Sequence, residues 1–582
     1  MSAEQLTTKR AAASRHLPYM PGIDGLRAIA VLSVMLYHSS PDTMIGGFLG
    51  VEVFFVISGY LITSLLIKEY LATGTIDLVR FWIRRARRLL PALFVLLGVV
   101  IVYAALVLPD QAARMRGDVI AAVAYVTNWQ LIVQNVSYFE SLGRPPVLRH
   151  LWSLAIEEQF YVVWPLAFLA GMTLLRSLKR LAWVTLAVAA GSVVLMWFLF
   201  DPLNDPSRVY YGTDTRAAGL LVGVVLAAVW RPWAFRLKAT PRGVRVLDGL
   251  GVVSLGIVVA FLFFVSEFSS FLYRGGFPLL GLATAGVIAV CAYPRTSVGR
   301  VLGNPVFLWL GRRSYGIYLW HWPIFMVTRP DLDIGLDGLS LLALRFGLTF
   351  LVAELSYRYV ETPIRQGDLA AWLTGMRARV ADPWHRMASL PAMTFTAIGL
   401  LAVGSIAVQL AAPAVTATDE LQAEFEAISA TATTTTTTRK PAEQADASAA
   451  TTRTVPAPDI DITAIGDSVM LGATPILQEE FGDSISIDAK LNRKLRHAVP
   501  IVEELAASGR LGTEMVVVHL GNNSMFHSDD FDALMRVLAD HPNVVFFNVN
   551  VDRSWEGPVN AALQDGVARW GNATLVDWKA VA

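Results

Sequence analysis

Two side chains suited to acid–base and anion chemistry, Arg27 and His38, lie in the first apolar segment of the chain. They are eleven residues apart, which on a helix corresponds to about three turns plus 20° and a rise of about 16 Å. Both side chains therefore share one helix face. A neutral imidazole can accept a proton from a hydroxyl, and a guanidinium can hold a phosphate. A helix-end histidine and a snorkelling arginine would explain the same pair without any chemistry.

Further ionisable side chains recur near the ends of later apolar segments. Polar groups are costly inside hydrocarbon, so each is a candidate for function, with a structural ion pair or an interfacial position as the alternative. If successive segments cross in alternating directions, these residues reach the same outer level as His38. They are Glu52, Glu157, Glu158, Asp214, Arg216 and His321. Their convergence predicts a polar site around His38.

Composition identifies the broad class of protein. Among 582 residues, 54% are hydrophobic and only 16% are charged, which is typical of a membrane protein. The 48 basic and 47 acidic residues leave a net charge of +1, so the charge balance does not indicate nucleic acid as a partner. The single cysteine, Cys291, excludes an internal disulfide and a thiolate metal cluster. We expect no bound metal and no permanently bound cofactor.

The apolar segments predict a polytopic α-helical membrane domain. Segments that can cross about 30 Å of hydrocarbon lie near 25–40, 47–67, 91–108, 118–134, 150–173, 181–199, 215–230, 246–265, 276–292, 305–327, 338–358 and 390–411. The segments rich in Lys and Arg lie at 80–88, 176–180, 231–245, 295–300 and 358–386. Basic residues accumulate on cytoplasmic loops. All of these basic segments lie on the cytoplasmic side only if the segment 118–134 does not cross the membrane. We therefore expect ten crossings and an eleventh, with the N-terminus in the cytoplasm.

Changes in composition divide the chain into successive parts. A cytoplasmic N-terminus (1–20) precedes the membrane domain (21–365), a cytoplasmic connector (366–389) and the eleventh helix (390–411). Residues 412–458 are rich in Ala, Thr and Pro, a composition that favours a disordered extracytoplasmic linker. From 459 to 582, short apolar strands alternate with helical stretches, which predicts a small α/β domain with a parallel sheet.

Six motifs in the membrane domain resemble the acyltransferase family 3. They are GFLGVEVFFVISGYLI (47–62), RRARRLLPA (84–92), HLWSLAIEEQFYVVWP (150–165), DTRAAGLLVG (214–223), LGRRSYGIYLWHWPIF (310–325) and ELSYRYVETPIR (354–365). The resemblance implies acyl transfer to a cell-envelope carbohydrate at the bacterial inner membrane, with acyl-CoA as the expected donor. The family's essential Arg and His of the first helix match Arg27 and His38. Glu52 stands where many relatives have Asp, which keeps the charge.

The resemblance and the helix geometry together assign roles to individual residues. His38 is expected to act as general base, with Glu158 or Asp214 orienting its imidazole. Arg27 is expected to bind the phosphate of the donor or to position its thioester. The segment Arg80 to Arg88 is basic and faces the cytoplasm, where it attracts either an anionic donor or lipid headgroups. The residues expected to contact donor or acceptor are Glu52, Arg84, Arg85, Trp152, Asp214, Arg216 and His321.

The C-terminal domain carries motifs that resemble SGNH hydrolases. AIGDSVMLGA (464–473) places Ser468 between a strand and a helix, where helix-start N–H groups can stabilise an oxyanion, although an N-cap would use the same residues. By the resemblance, Ser468 is the nucleophile and Asn523 an oxyanion donor, with Gly521 beside it in HLGNN (519–523). Asn492 replaces a Gly of the family, so that match is weak. The family's terminal Asp and His, three residues apart, are missing, which predicts that the sequence stops short of them.

The sequence therefore predicts a membrane O-acyltransferase that acetylates, or acylates with another short group, a hydroxyl of an extracytoplasmic glycan or glycolipid. The expected partners are the acyl donor, this acceptor and the lipid bilayer. The alternatives are an exporter of lipid or glycan, since a polar cavity in a helical bundle also suits transport, and an adhesion protein using its outer domain. The oligomeric state and the identities of acyl group and acceptor do not follow from the sequence.

Overall fold

The computed structural model divides the chain into two compact units, an N-terminal helical unit and a C-terminal α/β unit. The structure describes residues 17–39, 43–107, 112–139, 145–202, 205–232, 240–330, 333–366, 460–490, 493–523, 526, 528–551 and 555–581. The predicted connector beyond Gln366, the predicted eleventh helix and the predicted linker lie outside these residues.

The helical unit begins with long helices joined by short turns. Its first helices are α1 (Pro21–Ser39), α2 (Gly50–Thr73), α3 (Leu78–Val107), α4 (Ala112–Val123), α5 (Thr127–Val133), α6 (Leu151–Leu175), α7 (Leu178–Leu199), α8 (Ser207–Tyr211) and α9 (Thr213–Val229). They are followed by α10 (Pro241–Phe264), α11 (Phe277–Ala292), α12 (Ser297–Leu302), α13 (Pro305–Met326), α14 (Gly338–Ser356) and α15 (Thr362–Gln366). Single π-turns at Leu272–Gly276 and Tyr357–Glu361 lead into α11 and out of α14.

Seven of the described helices are long and apolar enough to cross a membrane. The helices α1, α9 and α13 are present at their predicted positions but fall outside this set. Helix α9 has only 17 residues, and polar and charged residues lower the mean hydropathy of α1 and α13. In place of one span at 118–134, the structure has the short helices α4 and α5, separated by a turn in which Tyr125 adopts a φ of 55°. The predicted number of ten crossings plus one stays a prediction.

A buried ion pair lies where α2 and α9 pack together. An oxygen of Glu52 on α2 is 2.8 Å from a guanidinium nitrogen of Arg216 on α9, and both side chains are almost fully buried. The guanidinium also stacks on the ring of Phe277, 3.9 Å from its centroid. A Cβ at Gly219 would lie 2.0 Å from Glu52 Oε1, so a side chain at this position would displace the carboxylate of the pair. The neutralised pair allows two polar side chains to lie inside the bundle.

The α/β unit has the predicted parallel sheet. Its elements are β1 (Ile462–Gly466), α16 (Ser468–Phe481), β2 (Ile485–Ala489), α17 (Ala498–Ala507), β3 (Met515–His519), α18 (Ser528–Val537), β4 (Val544–Phe547), α19 (Glu556–Val567) and β5 (Ala573–Val576). The strand order is β2-β1-β3-β4-β5, and every pairing is parallel. The chain leaves β1 toward β2 on one side and then returns to β3 on the other. This reversal opens a crevice at the carboxyl ends of β1 and β3, the usual ligand position in such sheets.

Candidate active site

A pair of stacked imidazoles forms the centre of the helical unit's polar site. His38 Nδ1 is 3.0 Å from His321 Nε2, and the two rings are 5.2 Å apart and nearly parallel. On the other side of His38, Nε2 is 3.0 Å from the hydroxyl of Tyr138. The structure thus brings together the predicted site residues His38 and His321 and adds Tyr138, which no sequence pattern had indicated.

The hydrogen-bond partners determine where the protons are when both imidazoles are neutral. His321 Nδ1 is 2.6 Å from the carbonyl oxygen of Tyr318, which can only accept, so this nitrogen carries the proton. His321 Nε2 is then an acceptor, and His38 Nδ1 must donate to it. His38 Nε2 is left with its lone pair toward the Tyr138 hydroxyl, which donates to it. The base that the sequence predicts therefore faces a hydroxyl.

Two residues at the start of α6, Arg149 and His150, complete this imidazole cluster. Arg149 is only 5% exposed, and its guanidinium lies between the rings of Trp322 and Tyr138, 4.5 and 5.1 Å from their centroids. His150 packs edge-on against His321 at 5.9 Å. The sequence analysis did not select either residue. A signal was present, because both are ionisable, His150 opens the HLWSLAIEEQFYVVWP motif and Arg149 directly precedes it.

A cavity begins at Arg27, at the opposite end of α1 from His38. Arg27, Arg85 and Arg88 line it together with Glu157, and Tyr318 lines the part nearest the histidines. Further lining residues are Val51, Phe54, Phe55, Ile57, Ser58, Leu61, Ile62, Leu89, Ser153, Leu154, Tyr161, Ser314 and Tyr315. Tyr318 connects the two regions, because its carbonyl holds His321 while its side chain faces the cavity.

The orienting role predicted for Glu158 or Asp214 is wrong in this geometry. Both ring nitrogens of His38 are already bonded to His321 and Tyr138. Asp214 is held by the guanidinium of Arg208 at 2.7 and 3.1 Å. Glu158 is in the electrostatic neighbourhood of arginines of α3, which include Arg85. The predicted common level with His38 is also wrong for Glu157 and Glu158. They lie beside the arginines of the cavity, because they are about two turns along α6 from His150.

Other candidates have structural surroundings that differ from the prediction. Arg85 lines the cavity, but the neighbouring Arg84 points to Glu69 at 3.4 Å, because adjacent residues face different sides of a helix. Trp152 is fully buried among aromatic rings, with Tyr210 at 4.6 Å and Tyr138 at 5.8 Å, so it supports Tyr138 rather than contacting the cavity. Glu52 and Arg216 neutralise each other. For Glu52 and Arg216, the alternative to a functional role given in the sequence analysis, a structural ion pair, therefore applies.

In the α/β unit, Ser468 opens α16 directly after β1. Asp467 caps this helix by accepting from the Val469 N–H at 3.0 Å, and Asn522 Nδ2 lies 2.9 and 3.0 Å from its two carboxylate oxygens. Burial raises the pKa of the Asp467 carboxyl above its ordinary value, against the effect of these hydrogen bonds. Gly521, just after β3, has a φ of 126°, which favours glycine. Ser468 and Gly521 thus stand at the two edges of the crevice.

No hydrogen bond joins Ser468 to a histidine within the described part of the α/β unit. Asn523 Nδ2 is directed to the Arg493 carbonyl at 3.5 Å. His541 contacts the Gly512 and Asn543 carbonyls, and His497 accepts from the Lys494 N–H. His519 packs against Phe547 and Trp578. The residues Asn492 and His527 lie outside the described residues. The predicted nucleophile therefore has a helix start and neighbouring amides, but no base among these histidines.

Comparison with known proteins gives the family. Residues 20–358 match the model of an acyltransferase domain. The chain belongs to this acyltransferase family. It is similar over 96% of its length to the peptidoglycan O-acetyltransferase OatA of Listeria monocytogenes, at 38% identity and 93% coverage of that protein. It is also 35% identical to the putative peptidoglycan O-acetyltransferase YrhL of Bacillus subtilis, over 97% of this chain and 94% of that one.

A putative O-acetyltransferase of Staphylococcus aureus is 36% identical over 97% of this chain and 92% of that protein. The predicted family and enzyme class are therefore confirmed, and the chain is an acyltransferase. Its apolar helices and these relatives make it a multi-pass bacterial membrane protein.

We predict that Glu52→Ala strongly reduces the yield of folded protein, because Arg216 would remain buried without its carboxylate, at a cost of about 3–5 kcal/mol. The double variant Glu52→Leu, Arg216→Met removes both charges and should restore folding. The measurement is the thermal unfolding of each variant in detergent, together with its acyltransferase activity. A folded but inactive double variant would contradict the structural assignment of the pair.

We also predict that the α/β unit loses stability below about pH 6.5 in a way that depends on His519. Burial lowers the pKa of this imidazole from 6.5 to about 4, so between these values the unfolded chain binds a proton that the folded chain does not. Stability is therefore fully present above pH 6.5 and falls by up to about 3 kcal/mol as the pH approaches 4. Hydrogen exchange of the β3 and β4 amides at pH 6.5 and 4.5 measures this change. An equal pH dependence in His519→Phe would show that other groups cause it.

Proposed function

We propose that this enzyme transfers an acetyl group from an activated donor to a hydroxyl of cell-wall peptidoglycan, with His38 as general base. The family assignment and the printed activities of the relatives support acetyl transfer to this glycan. The observation that carries the proposal for this site is the orientation of His38, whose Nε2 lone pair faces a hydroxyl at 3.0 Å. That is the arrangement from which an imidazole removes a hydroxyl proton.

The cavity at Arg27 suits the donor. Three guanidinium groups, of Arg27, Arg85 and Arg88, line one cavity with a single carboxylate, Glu157, among its lining residues. Clustered guanidinium groups bind phosphates with paired hydrogen bonds. Acyl-CoA fits this chemistry, because its phosphates can occupy the arginine end while its thioester extends toward Tyr318 and the histidines. The rise of about 16 Å between Arg27 and His38 is comparable to such an arm.

The α/β unit is proposed to pass the acetyl group to the polymer. Ser468 at the start of α16 would act as nucleophile, and the backbone and side chain of Asn523, with Gly521, would stabilise the oxyanion.

The proposed membrane orientation places the N-terminus and the Arg27 end of α1 on the cytoplasmic side. The His38 end of α1 and the C-terminal unit then lie on the outer side. The basic segments, including Arg80 to Arg88, support that direction.

We predict that His38→Ala and Arg27→Ala each reduce acetylation of peptidoglycan by at least about 100-fold, because a positioned base contributes about 10²–10⁴ to such rates. The measurement is the acetate released by mild base from purified peptidoglycan of a deletion strain that expresses each variant. Arg300→Ala is the control, since this arginine is exposed and its side chain donates to Ser297 of its own short helix. Acetylation within about threefold of the wild type in either variant, at equal protein levels, would refute the proposed mechanism.

We further predict that His321 positions the base. His321→Ala removes the acceptor for the His38 Nδ1 proton, so the imidazole can take the other tautomer or rotate, and acetylation should fall by about 10- to 1,000-fold. His321→Gln keeps an acceptor on the side chain and should recover part of the rate. Both rates are measured at saturating acceptor with quantified protein. Equal activity of Ala and Gln variants would assign His321 to packing instead.

A further inference from the structure

Several arginines of the described helical unit are neutralised by a nearby carboxylate. The pairs are Arg27 with Asp24 at 3.4 Å, Arg208 with Asp214 at 2.7 Å, Arg216 with Glu52 at 2.8 Å, Arg329 with Asp333 at 3.0 Å, and Arg313 with Glu354. Arg345 has no such ion pair, but it donates to the Phe325 carbonyl and to two oxygens of Thr328 at the end of α13. These residues have local structural explanations.

Arg149 differs from them. Its side chain is almost fully buried, and among the described residues it forms no ion pair. One guanidinium nitrogen donates to the Ser137 carbonyl at 3.2 Å, while Nε has no hydrogen-bond partner. An unneutralised charge is costly in a buried site within a membrane protein, so it is a candidate for function.

The location of Arg149 relates it to the proposed chemistry. Its guanidinium is held between the rings of Trp322 and Tyr138. Trp322 also packs edge-on against His38 with ring centroids 4.7 Å apart, and Tyr138 bears the hydroxyl that is 3.0 Å from His38 Nε2. Arg149 is thus fixed by the same two aromatic side chains that contact the base. Stacking supports a cation without supplying the negative charge that would neutralise it.

The geometry points to Arg149 as the positive group that stabilises the oxyanion of acyl transfer at His38. This inference rests on the proposed function. In the reaction, the acceptor hydroxyl takes the place of the Tyr138 hydroxyl at His38 Nε2 and gives its proton to that nitrogen, while its oxygen bonds to the carbonyl carbon of an acyl thioester or ester. The carbonyl electron pair moves onto oxygen, and this negative charge is paired with Arg149. When the carbonyl reforms, the bond to the leaving group breaks and His38 returns its proton to that group.

The competing explanation is that Arg149 serves only as a bridge between two aromatic rings. The two explanations differ in whether the charge or the shape of the side chain matters. Arg149→Met keeps a long side chain that packs on aromatic rings but removes the charge. Arg149→Lys keeps the charge without the planar group. Arg274→Met is a matched control, because Arg274 also lies near two aromatic rings, Trp197 and Phe200, at 5.8 and 5.9 Å, and has no contact with the imidazole cluster.

The experiment uses the full chain in proteoliposomes with acetyl-CoA as donor probe and soluble peptidoglycan fragments as acceptor. We expect Arg149→Met to lower kcat by about 100-fold, the usual effect of losing one oxyanion partner, with an acceptor KM within about threefold of the wild type. Arg149→Lys should remain within about tenfold of the wild-type kcat, and Arg274→Met should be unchanged. A loss in Arg149→Met confined to KM, or an equal loss of kcat in the Lys and Met variants, would overturn the assignment.

Two further measurements keep the outcome interpretable. If Arg149→Met does not fold, as judged by size-exclusion chromatography, the Lys variant decides: a folded Lys variant with kcat reduced more than 100-fold contradicts a charge-based role, and one within tenfold supports it. Acetate on the cell wall of a complemented deletion strain, which does not depend on the choice of donor probe, is measured for the same variants. Full acetylation by Arg149→Met together with none by His38→Ala would reject this inference while leaving the proposed function intact.

Discussion

The helical unit is organised by the cost of placing a charge in an apolar interior. Glu52 and Arg216 meet the constraint most directly, since each neutralises the other and the ring of Phe277 covers the guanidinium. The tight packing of α2 against α9 depends on this pair and on the missing side chain of Gly219. Two further regions of the unit gather buried ionisable groups, the arginine-lined cavity and the imidazole cluster.

A single helix and a single carbonyl connect these two regions. Because α1 carries both Arg27 and His38, the distance between the arginine-lined cavity and the imidazole of His38 is set by helix geometry. The tautomer of His38 is set on α13, where the Tyr318 carbonyl accepts from His321 and leaves the latter's other nitrogen free to accept. The tautomer in which His38 Nε2 accepts a proton therefore follows from a backbone oxygen, and among the described residues no carboxylate forms a hydrogen bond with either imidazole.

The sequence predicted those parts of the structure that depend on periodicity and on short local motifs. Helical spacing placed Arg27 and His38 on one face, and the alternation of strands and helices predicted the parallel sheet that carries Ser468. The partners of His38 depend on how distant helices rotate about their axes, which hydropathy does not encode. For this reason Glu158 was expected beside His38, whereas Tyr138, Arg149 and His150 were missed. Trp152 and Glu52 were predicted to contact donor or acceptor because they lie in family motifs. Residues of such motifs also serve the packing of the helices, as these two do.

The contact between Tyr138 and His38 has a kinetic consequence for the resting enzyme. An activated acyl group beside a free imidazole base is exposed to attack by any water molecule that reaches the base. With His38 as the proposed base, the phenol that holds the Nε2 lone pair at 3.0 Å would also keep water from using that lone pair. Under the proposed mechanism, the hydrogen bond would therefore limit hydrolysis of the acyl donor between encounters with the acceptor.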